Sequence, residues 1–363
     1  MELERRDALQ EPPKQMLDLK CVADVAGVRP SQVASRETIR ALPRKVTERI
    51  ELLDGPEGSH RVALLKWGPS QSLRRELLLY SAVYDPDTDP VPRLLGRFVA
   101  DDRQVLLLEW VWGEVPDVSS RESVERVFHA YGRWMGQWAA ALRDYRAGET
   151  GPFWRPVPSA MEPDLRRFLD PRITEQRLIE DFERLDDLYA ACADLLDPGR
   201  GPRERVLFRE IAAIGPAAAA AIFSTPATLC PGDLSVKNVL LRGPARRPTF
   251  FDFEFAGIMP AAITLNAIGE DSGLVPTGSL AEYAKEKFLG GWSDSAAPPL
   301  VRETFHRGQR CAFLHYQCHQ IRHFFEDILS DPELAREPRR LEWWRRAPPD
   351  LSRLVRSIDL PSE

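Results

Sequence analysis

The chain has 363 residues, of which 43% are hydrophobic, and a formal net charge of −6 at pH 7. This length is sufficient for one large core or, more in line with usual domain sizes, for two domains. The net acidic charge argues against the basic surface that nucleic acids and anionic membranes bind, so we expect neither as a partner.

The first twenty residues carry charges and prolines where a secretory signal needs an apolar run. We expect no apolar stretch that reaches the roughly 18 residues of a membrane span. The five cysteines stand at irregular positions without a C-x-x-C pair, which fits neither a disulfide framework nor a zinc ribbon. We therefore expect a cytoplasmic protein with reduced thiols, either a monomer or a homodimer.

The amino-terminal third has the pattern of an antiparallel sheet with one helix. Residues 1–35 are polar and contain prolines, so we expect a poorly defined extension there. Alternating apolar residues then predict three strands, at residues 46–53, 61–67 and 103–112. Residues 54–58, D-G-P-E-G, predict a hairpin turn between the first two strands. Residues 72–83 have helical spacing and lie between the second and third strands.

The remainder of the chain has mainly helical periodicity. It predicts four long helices, at residues 123–142, 175–196, 203–214 and 301–329. One strand-rich segment interrupts them at residues 229–257, L-C-P-G-D-L-S-V-K-N-V-L-L-R-G-P-A-R-R-P-T-F-F-D-F-E-F-A-G. It has the order loop, strand, turn, strand.

Polar residues around these two short strands suit phosphoryl transfer from ATP. That reaction needs a lysine on the phosphates, a carboxylate that holds it, hard oxygen ligands for Mg²⁺ and a carboxylate that orients the attacking hydroxyl. Lys66 ends an apolar strand, and Glu76 follows ten residues later in the predicted helix. Asp233 and Asn238 form D-L-x-x-x-N, and Asp252 begins D-F-E. We expect Asp233 to orient the substrate hydroxyl and accept its proton, and the other two to hold Mg²⁺.

The segment resembles the catalytic and metal-binding motifs of the aminoglycoside and choline phosphotransferases, small-molecule kinases with a protein-kinase-like fold. Their usual pattern is H-G-D-L-x-x-x-N-x-L followed by D-[FW]-[ED]. The resemblance covers about residues 45–325 and includes 106–114, L-L-L-E-W-V-W-G-E, which is similar to the family's connection between lobes. It implies ATP, or GTP, and Mg²⁺ as cofactors, with adenine bound by the backbone from Glu109 to Val111.

The resemblance also implies a two-lobed α+β fold. Residues 1–110 would form a small antiparallel-sheet lobe with one helix, which binds the nucleotide. Residues 111–363 would form a larger, mainly helical lobe. That lobe would carry the catalytic loop at 231–238, the metal-binding motif at 252–254 and the substrate site.

Three departures from the family pattern stand out. Pro231 replaces the family's His two residues before the catalytic Asp, and Thr264 stands near a position where the family has an Asp. The glycine-rich phosphate loop is missing. In its place are Arg44 and Lys45, which either contact phosphates by charge or are simply solvated.

The last predicted helix carries Cys311, His315, His319 and His323 at intervals of four residues. Three interpretations are open: metal binding, hydrogen bonds from His315 and His319 to substrate hydroxyls, or half-buried packing. Three successive steps of four drift around a helix, and no H-E-x-x-H signature is present, so metal binding is the least favoured.

The sequence thus predicts an ATP-dependent kinase that phosphorylates a hydroxyl of a small molecule. An antibiotic, in resistance or self-protection, is one candidate substrate; a sugar, nucleoside, choline-like alcohol or amino alcohol are others. Glu254, Glu270 and Asp271 are candidates for contact with a cationic substrate, or else solvated turn residues. The rival hypothesis is a non-catalytic kinase-like binding protein, which the three departures favour and the complete set of motif residues opposes.

Overall fold

The structure is a computed structural model, and it describes residues 17–42, 45–54, 59–69, 71–85, 87–100, 103–150, 152–157, 161–196, 201–232, 234–265 and 279–358. Four of the predicted site residues lie outside these ranges: Arg44, Asp233, Glu270 and Asp271. Residues 55–58 of the predicted hairpin turn lie outside them as well.

Five antiparallel strands form the sheet of the amino-terminal lobe, in the order β1-β2-β3-β5-β4. They are β1 (Val33–Leu42), β2 (Lys45–Asp54), β3 (Ser59–Gly68), β4 (Leu94–Ala100) and β5 (Arg103–Glu109). The three predicted strands correspond to β2, β3 and β5, whereas β1 and β4 were not predicted. Both are edge strands, and most of β1 is exposed, so its residues lack the apolar alternation that marks a half-buried strand.

Helices cover both faces of this sheet. Helix α1 (Leu19–Ala26) lies on one face and contributes Val22 to a core with β2, β3 and β5. Part of the expected extension at 1–35 is therefore ordered. Helix α2 (Gln71–Leu78) lies on the other face and continues as a π-helical turn, Leu79–Val83, which matches the predicted helix at 72–83. Coverage of both faces explains why β5 reads V-L-L-L without alternation.

The carboxy-terminal lobe is mainly helical. Its helices are α3 (Arg121–Ala147), α4 (Glu162–Leu169), α5 (Glu175–Leu196), α6 (Gly201–Phe223), α7 (Ser279–Ser293), α8 (Arg302–Ser330) and α9 (Pro338–Ser357). Helices α3 and α7 share one core with α2 and β5, and so join the two lobes. Helices α5, α6, α8 and α9 form a second core.

Helix α6 is longer than the sequence indicated. An 18-residue window within its residues 203–223 has a mean hydropathy of 1.6, so the helix is long and apolar enough to cross a membrane, contrary to the expectation that no such stretch exists. In this fold the helix packs as a core helix, with Phe208, Ile211 and Ile222 completely buried in the second core. Length and composition alone do not separate these two cases.

Two short antiparallel strand pairs position the predicted motifs. Strand β6 (Ala227–Cys230) pairs with β9 (Gly257–Pro260), and β7 (Val239–Arg242) pairs with β8 (Arg247–Phe250). The D-L-x-x-x-N loop connects β6 to β7, and the D-F-E segment connects β8 to β9. Because the second pair is antiparallel, the end of the first loop and the start of the second lie side by side.

Candidate active site

Lys66 lies at the centre of a buried ionic cluster. Its Nζ atom is 2.9 Å and 3.0 Å from the two carboxylate oxygens of Glu76 and 2.9 Å from Oδ1 of Asp252. Successive side chains of β3 point to opposite faces of the sheet. Leu65 and Trp67 face α1, so Lys66, which lies between them, points to the other face, where α2 carries Glu76. The structure thus brings together the two residues whose pairing the sequence predicted.

Asp252 is held as an anion in a left-handed backbone conformation, which is uncommon outside glycine. Its φ is +68°, a value that Asp and Asn adopt more readily than other non-glycine residues. Burial would raise its pKa, but the charges of Lys66 and Lys45, the hydrogen bond from Lys66 and the charge of Lys237 lower that pKa to about 2. The two surrounding strand pairs therefore hold an ionised carboxylate in a left-handed backbone conformation, and such conformations are common at functional sites.

Asn238 lies next to Asp252 because of the antiparallel strand pair. It ends a 3₁₀ turn, Val236–Asn238, and its carbonyl accepts a hydrogen bond of 3.1 Å from the N–H of Phe251. Asn238 is only 4% exposed, and both it and Asp252 line the same cleft. A carboxylate and an amide oxygen side by side form a donor set that suits Mg²⁺, which also binds water and phosphate oxygens.

The cleft has a volume of about 320 Å³ and lies between the two lobes. Apolar side chains line it on both sides: Ile39, Leu64, Pro92, Leu240 and Phe251. Ile39 and Leu64 come from the amino-terminal sheet, whereas Leu240 and Phe251 come from β7 and the residue after β8. A flat aromatic base fits between two such walls.

Residues 109–111, which we call the hinge, form one end of the cleft. The N–H of Glu109 donates a hydrogen bond to the carbonyl of Arg93, and the N–H of Trp110 donates one to the carbonyl of Val62. Within the described part of the chain, the N–H of Val111 has no hydrogen-bond acceptor. This N–H is therefore available to a ligand. The carboxylate of Glu109 is not, since it pairs with the Arg242 guanidinium at 2.7 Å.

Cationic side chains also line the cleft. There are four among the described residues: Arg40, Lys45, Lys66 and Lys237. Lys45 lies where a phosphate contact was predicted, but its Nζ atom pairs with Oε2 of Glu254 at 2.6 Å, and both side chains are buried. Neither alternative for Glu254 matches this arrangement, because the residue is neither a solvated turn residue nor a carboxylate free to meet a substrate cation.

Lys237 lines the cleft although its sequence position did not predict it. It directly precedes Asn238, at a position where the family pattern specifies no residue. The structure gives it significance by placing it in the cleft with Asp252.

The loop that precedes Asp233 is tightly constrained. Gly232 has φ +86°, and a Cβ atom there would lie 2.2 Å from the carbonyl oxygen of Phe255, so only glycine fits. Pro231, which replaces the family's His, is buried in the same bend. On the other side of Asp233, Leu234 is 1% exposed and anchors the loop in the core.

The other departure, Thr264, has a structural role. It is completely buried, and its hydroxyl donates a hydrogen bond of 2.7 Å to the carbonyl of Ala261. The side chain closes a 3₁₀ turn, so this position provides no carboxylate to the cleft.

His315, His319 and His323 of α8 pack beside the second core, and none of the three lines the cleft. His315 pairs with Asp181 of α5 at 3.2 Å, and Arg322 bonds to the same carboxylate. The Nε2 atoms of His319 and His323 are 3.0 Å apart, and burial together with the charges of His323 and Arg322 lowers the pKa of His319 to about 3. These contacts are those of packed side chains, and hydrogen bonds to a substrate stay a prediction.

No group of three or more His, Cys, Asp or Glu side chains that could hold a metal ion occurs among the residues that the structure describes. The structure therefore gives the metal-binding interpretation of the α8 histidines no support.

Comparison with known proteins identifies the family and the fold. A model of the phosphotransferase enzyme family matches residues 58–284. No curated protein sequence matches the chain.

Similar solved structures include an aminoglycoside phosphotransferase from Alicyclobacillus acidocaldarius, with 15% identity, a TM-score of 0.50, and 95% of this chain and 96% of that chain covered. Another is the apo form of a thermostable mutant of aminoglycoside phosphotransferase APH(4)-Ia, with 13% identity and a TM-score of 0.51, and the match covers 94% of this chain and 99% of that chain. A mutant of the same enzyme in a ternary complex with ADP and hygromycin B has 12% identity, a TM-score of 0.50 and coverage of 93% and 97%. At these identities the likeness shows the fold alone, the two-lobed protein-kinase-like fold that the sequence predicted. Because the family model spans more than half of the chain, the protein belongs to the phosphotransferase enzyme family.

Proposed function

We propose that this protein is an ATP- and Mg²⁺-dependent kinase that transfers the γ-phosphate to a hydroxyl of a small molecule. The observation that carries the proposal is the position of Lys66, held at 2.9 Å by both Glu76 and Asp252 inside the cleft. A lysine fixed between a helix carboxylate and a metal-binding Asp is the arrangement that protein kinases need to bind and orient ATP phosphates.

Each part of the cleft has a role in this proposal. The base lies between the apolar walls and accepts a hydrogen bond from the N–H of Val111. Lys66 binds the phosphates, and Glu76 keeps its ammonium in place. Asn238 and Asp252 would hold Mg²⁺, which neutralises charge on the phosphates when bound. Asp233 orients the acceptor hydroxyl and takes its proton.

The acceptor is a small molecule. Antibiotics are the first class to test, because a similar structure binds hygromycin B together with ADP. Sugars, nucleosides and amino alcohols are the second class, and GTP is the alternative phosphate donor. The rival hypothesis of a non-catalytic binding protein is less favoured, since the ionic cluster at Lys66 is intact and Thr264 has a structural role of its own.

A screen for ATP consumption tests the proposal, first with antibiotics and then with common metabolites. The product is identified by the mass of one added phosphoryl group. With the substrate in hand, Asp233→Asn keeps the shape of the side chain and removes the base, so turnover should fall by roughly 10² to 10⁴. Nucleotide affinity, measured by calorimetry, should stay within a few-fold of the wild type, since Asp233 touches only the acceptor.

Asp187→Asn is the matched control, because Asp187 is an exposed residue of α5 outside the cleft. It should leave turnover unchanged. A folded Asp233→Asn protein that turns over at the wild-type rate would refute the role of Asp233. A wild-type protein that binds no nucleotide would refute the kinase itself.

A further inference from the structure

Lys237 is placed on the metal-binding side of the cleft. It occupies the middle of the 3₁₀ turn Val236–Asn238, directly before the Asn that would hold Mg²⁺, and its side chain lines the cleft. Its charge also acts on Asp252, since it contributes to the lowered pKa of that carboxylate. Lys237 is thus next to both proposed metal ligands.

The other two lysines of the cleft already have carboxylate partners. Lys66 is held by Glu76 and Asp252, and Lys45 is held by Glu254. Lys237 is exposed and forms no ion pair with any residue in the described ranges. Its ammonium can therefore bind an incoming anion without first giving up a partner.

The fourth cation, Arg40, comes from a different side of the cleft. It lies on the edge strand β1, in the amino-terminal sheet, whereas Lys237, Asn238 and Asp252 all belong to the carboxy-terminal lobe. Asn238 and Asp252 would hold the metal ion, which would neutralise charge on the outer phosphates, so the terminal phosphate would lie on their side of the cleft. Lys237 is therefore better placed than Arg40 for that phosphate.

We propose that Lys237 binds the γ-phosphate of ATP and makes the site prefer ATP over ADP. The inference rests on the proposed function and adds a residue that the family motif does not specify. A lysine ammonium is a compact charge that suits a phosphate oxygen, and a contact of this kind supplies electrostatic stabilisation while the phosphoryl group moves. It also provides a charged contact to phosphate in a chain without a glycine-rich loop.

The test measures binding, so it does not depend on knowing the acceptor. Calorimetry gives the Kd of ADP and of the non-hydrolysable analogue AMP-PNP, both with Mg²⁺, for the wild type and for Lys237→Met. Loss of one charge-assisted contact should weaken AMP-PNP by roughly 10-fold to 100-fold. The Kd of ADP should change by less than about twofold, because ADP lacks the phosphate that Lys237 contacts. Lys237→Arg should recover most of the lost affinity.

Arg247→Met is the matched control. Arg247 is an exposed cation on β8, in the same strand pair, but it does not line the cleft. Its replacement removes the same charge and should change neither Kd. Thermal melting of each variant checks the fold, and since Lys237 is exposed, its replacement should leave the melting temperature unchanged.

Two results would overturn the inference while leaving the kinase proposal intact. One is a wild-type protein that binds both nucleotides and a Lys237→Met variant with unchanged AMP-PNP affinity. The other is an equal loss of affinity for ADP and AMP-PNP, which would place Lys237 at an inner phosphate. If the wild type binds neither nucleotide, the proposed function is refuted, and the inference about Lys237 is refuted with it.

Discussion

The ion pair between Lys45 and Glu254 makes a prediction about stability. It joins the start of β2 in one lobe to the D-F-E segment in the other, with Nζ and Oε2 at 2.6 Å and side chains only 7% and 8% exposed. The perturbation is a cycle of three variants: Lys45→Met, Glu254→Gln and both together. Each single change removes the partner that lies 2.6 Å from the other buried side chain.

The expected change in the free energy of unfolding follows from two opposing contributions, the attraction between the charges and the cost of removing them from water. At 2.6 Å, two unit charges in a medium of effective dielectric about 20 attract each other by about 6 kcal/mol. Removing both ions from water costs several kcal/mol each, so the intact pair is close to neutral for stability. Loss of one partner leaves the desolvation cost and removes the attraction, which typically destabilises by about 3–5 kcal/mol.

We expect the lower end of that range for Glu254→Gln. Lys45 keeps a second carboxylate, since its Nζ atom is 3.9 Å from Oδ1 of Asp252. Each single variant should therefore lose about 3 kcal/mol or somewhat more in free energy of unfolding. The double variant should lose clearly less than the sum, because it removes the desolvation cost of both ions together with their attraction.

Urea unfolding followed by tryptophan fluorescence measures these free energies. Arg336 and Glu333 provide the control cycle, because they form a pair at 2.8 Å whose side chains are 78% and 73% exposed. Changes there should stay within about 0.5 kcal/mol, as is usual for exposed pairs. Strictly additive losses for Lys45→Met and Glu254→Gln would refute the reasoning, because they would show that the two charges do not stabilise each other.

Three further changes concern the proposed nucleotide site and its loop. Glu76→Gln should weaken ATP use in the same direction as Lys66→Met, and the double variant should lose much less than the sum of the two; additive losses in kcat/KM would mean that the pair has no joint role. Asp252→Ala should abolish turnover and the Mg²⁺-dependent part of ATP binding, measured by calorimetry with Mg²⁺ and with EDTA; unchanged Mg²⁺ dependence would exclude this carboxylate from the metal site. Gly232→Ala should lower stability by at least about 1–2 kcal/mol and reduce turnover, because its Cβ atom would overlap the carbonyl of Phe255. A variant with wild-type melting temperature and activity would show that the loop is less constrained than its geometry indicates.

Short-range patterns in the sequence were sufficient to predict the pair of Lys66 and Glu76, whereas the contact of Lys66 with Asp252 spans 186 positions. A lysine at the end of an apolar strand and a glutamate ten residues later, in an amphipathic helix, have their relative positions set by strand and helix periodicity. The spacing D-L-x-x-x-N, strand, turn, strand, D-F-E likewise places Asn238 next to Asp252, because an antiparallel pair brings the ends of its two strands together. These parts of the site lie within single local units.

Contacts between distant segments came only from the tertiary structure. Lys45 and Glu254 are 209 positions apart, and nothing in either local sequence distinguishes a phosphate-binding lysine from one that pairs across the lobes. Strand β1 gave no signal because most of its side chains are exposed, and it is held by backbone pairing to β2. The direction of Lys237 into the cleft depends on how the carboxy-terminal loop meets the amino-terminal sheet. The periodicity of a helix or strand indicates which of its side chains face inward. Which side chains of other elements they contact is decided by the packing of segments that are far apart in the chain.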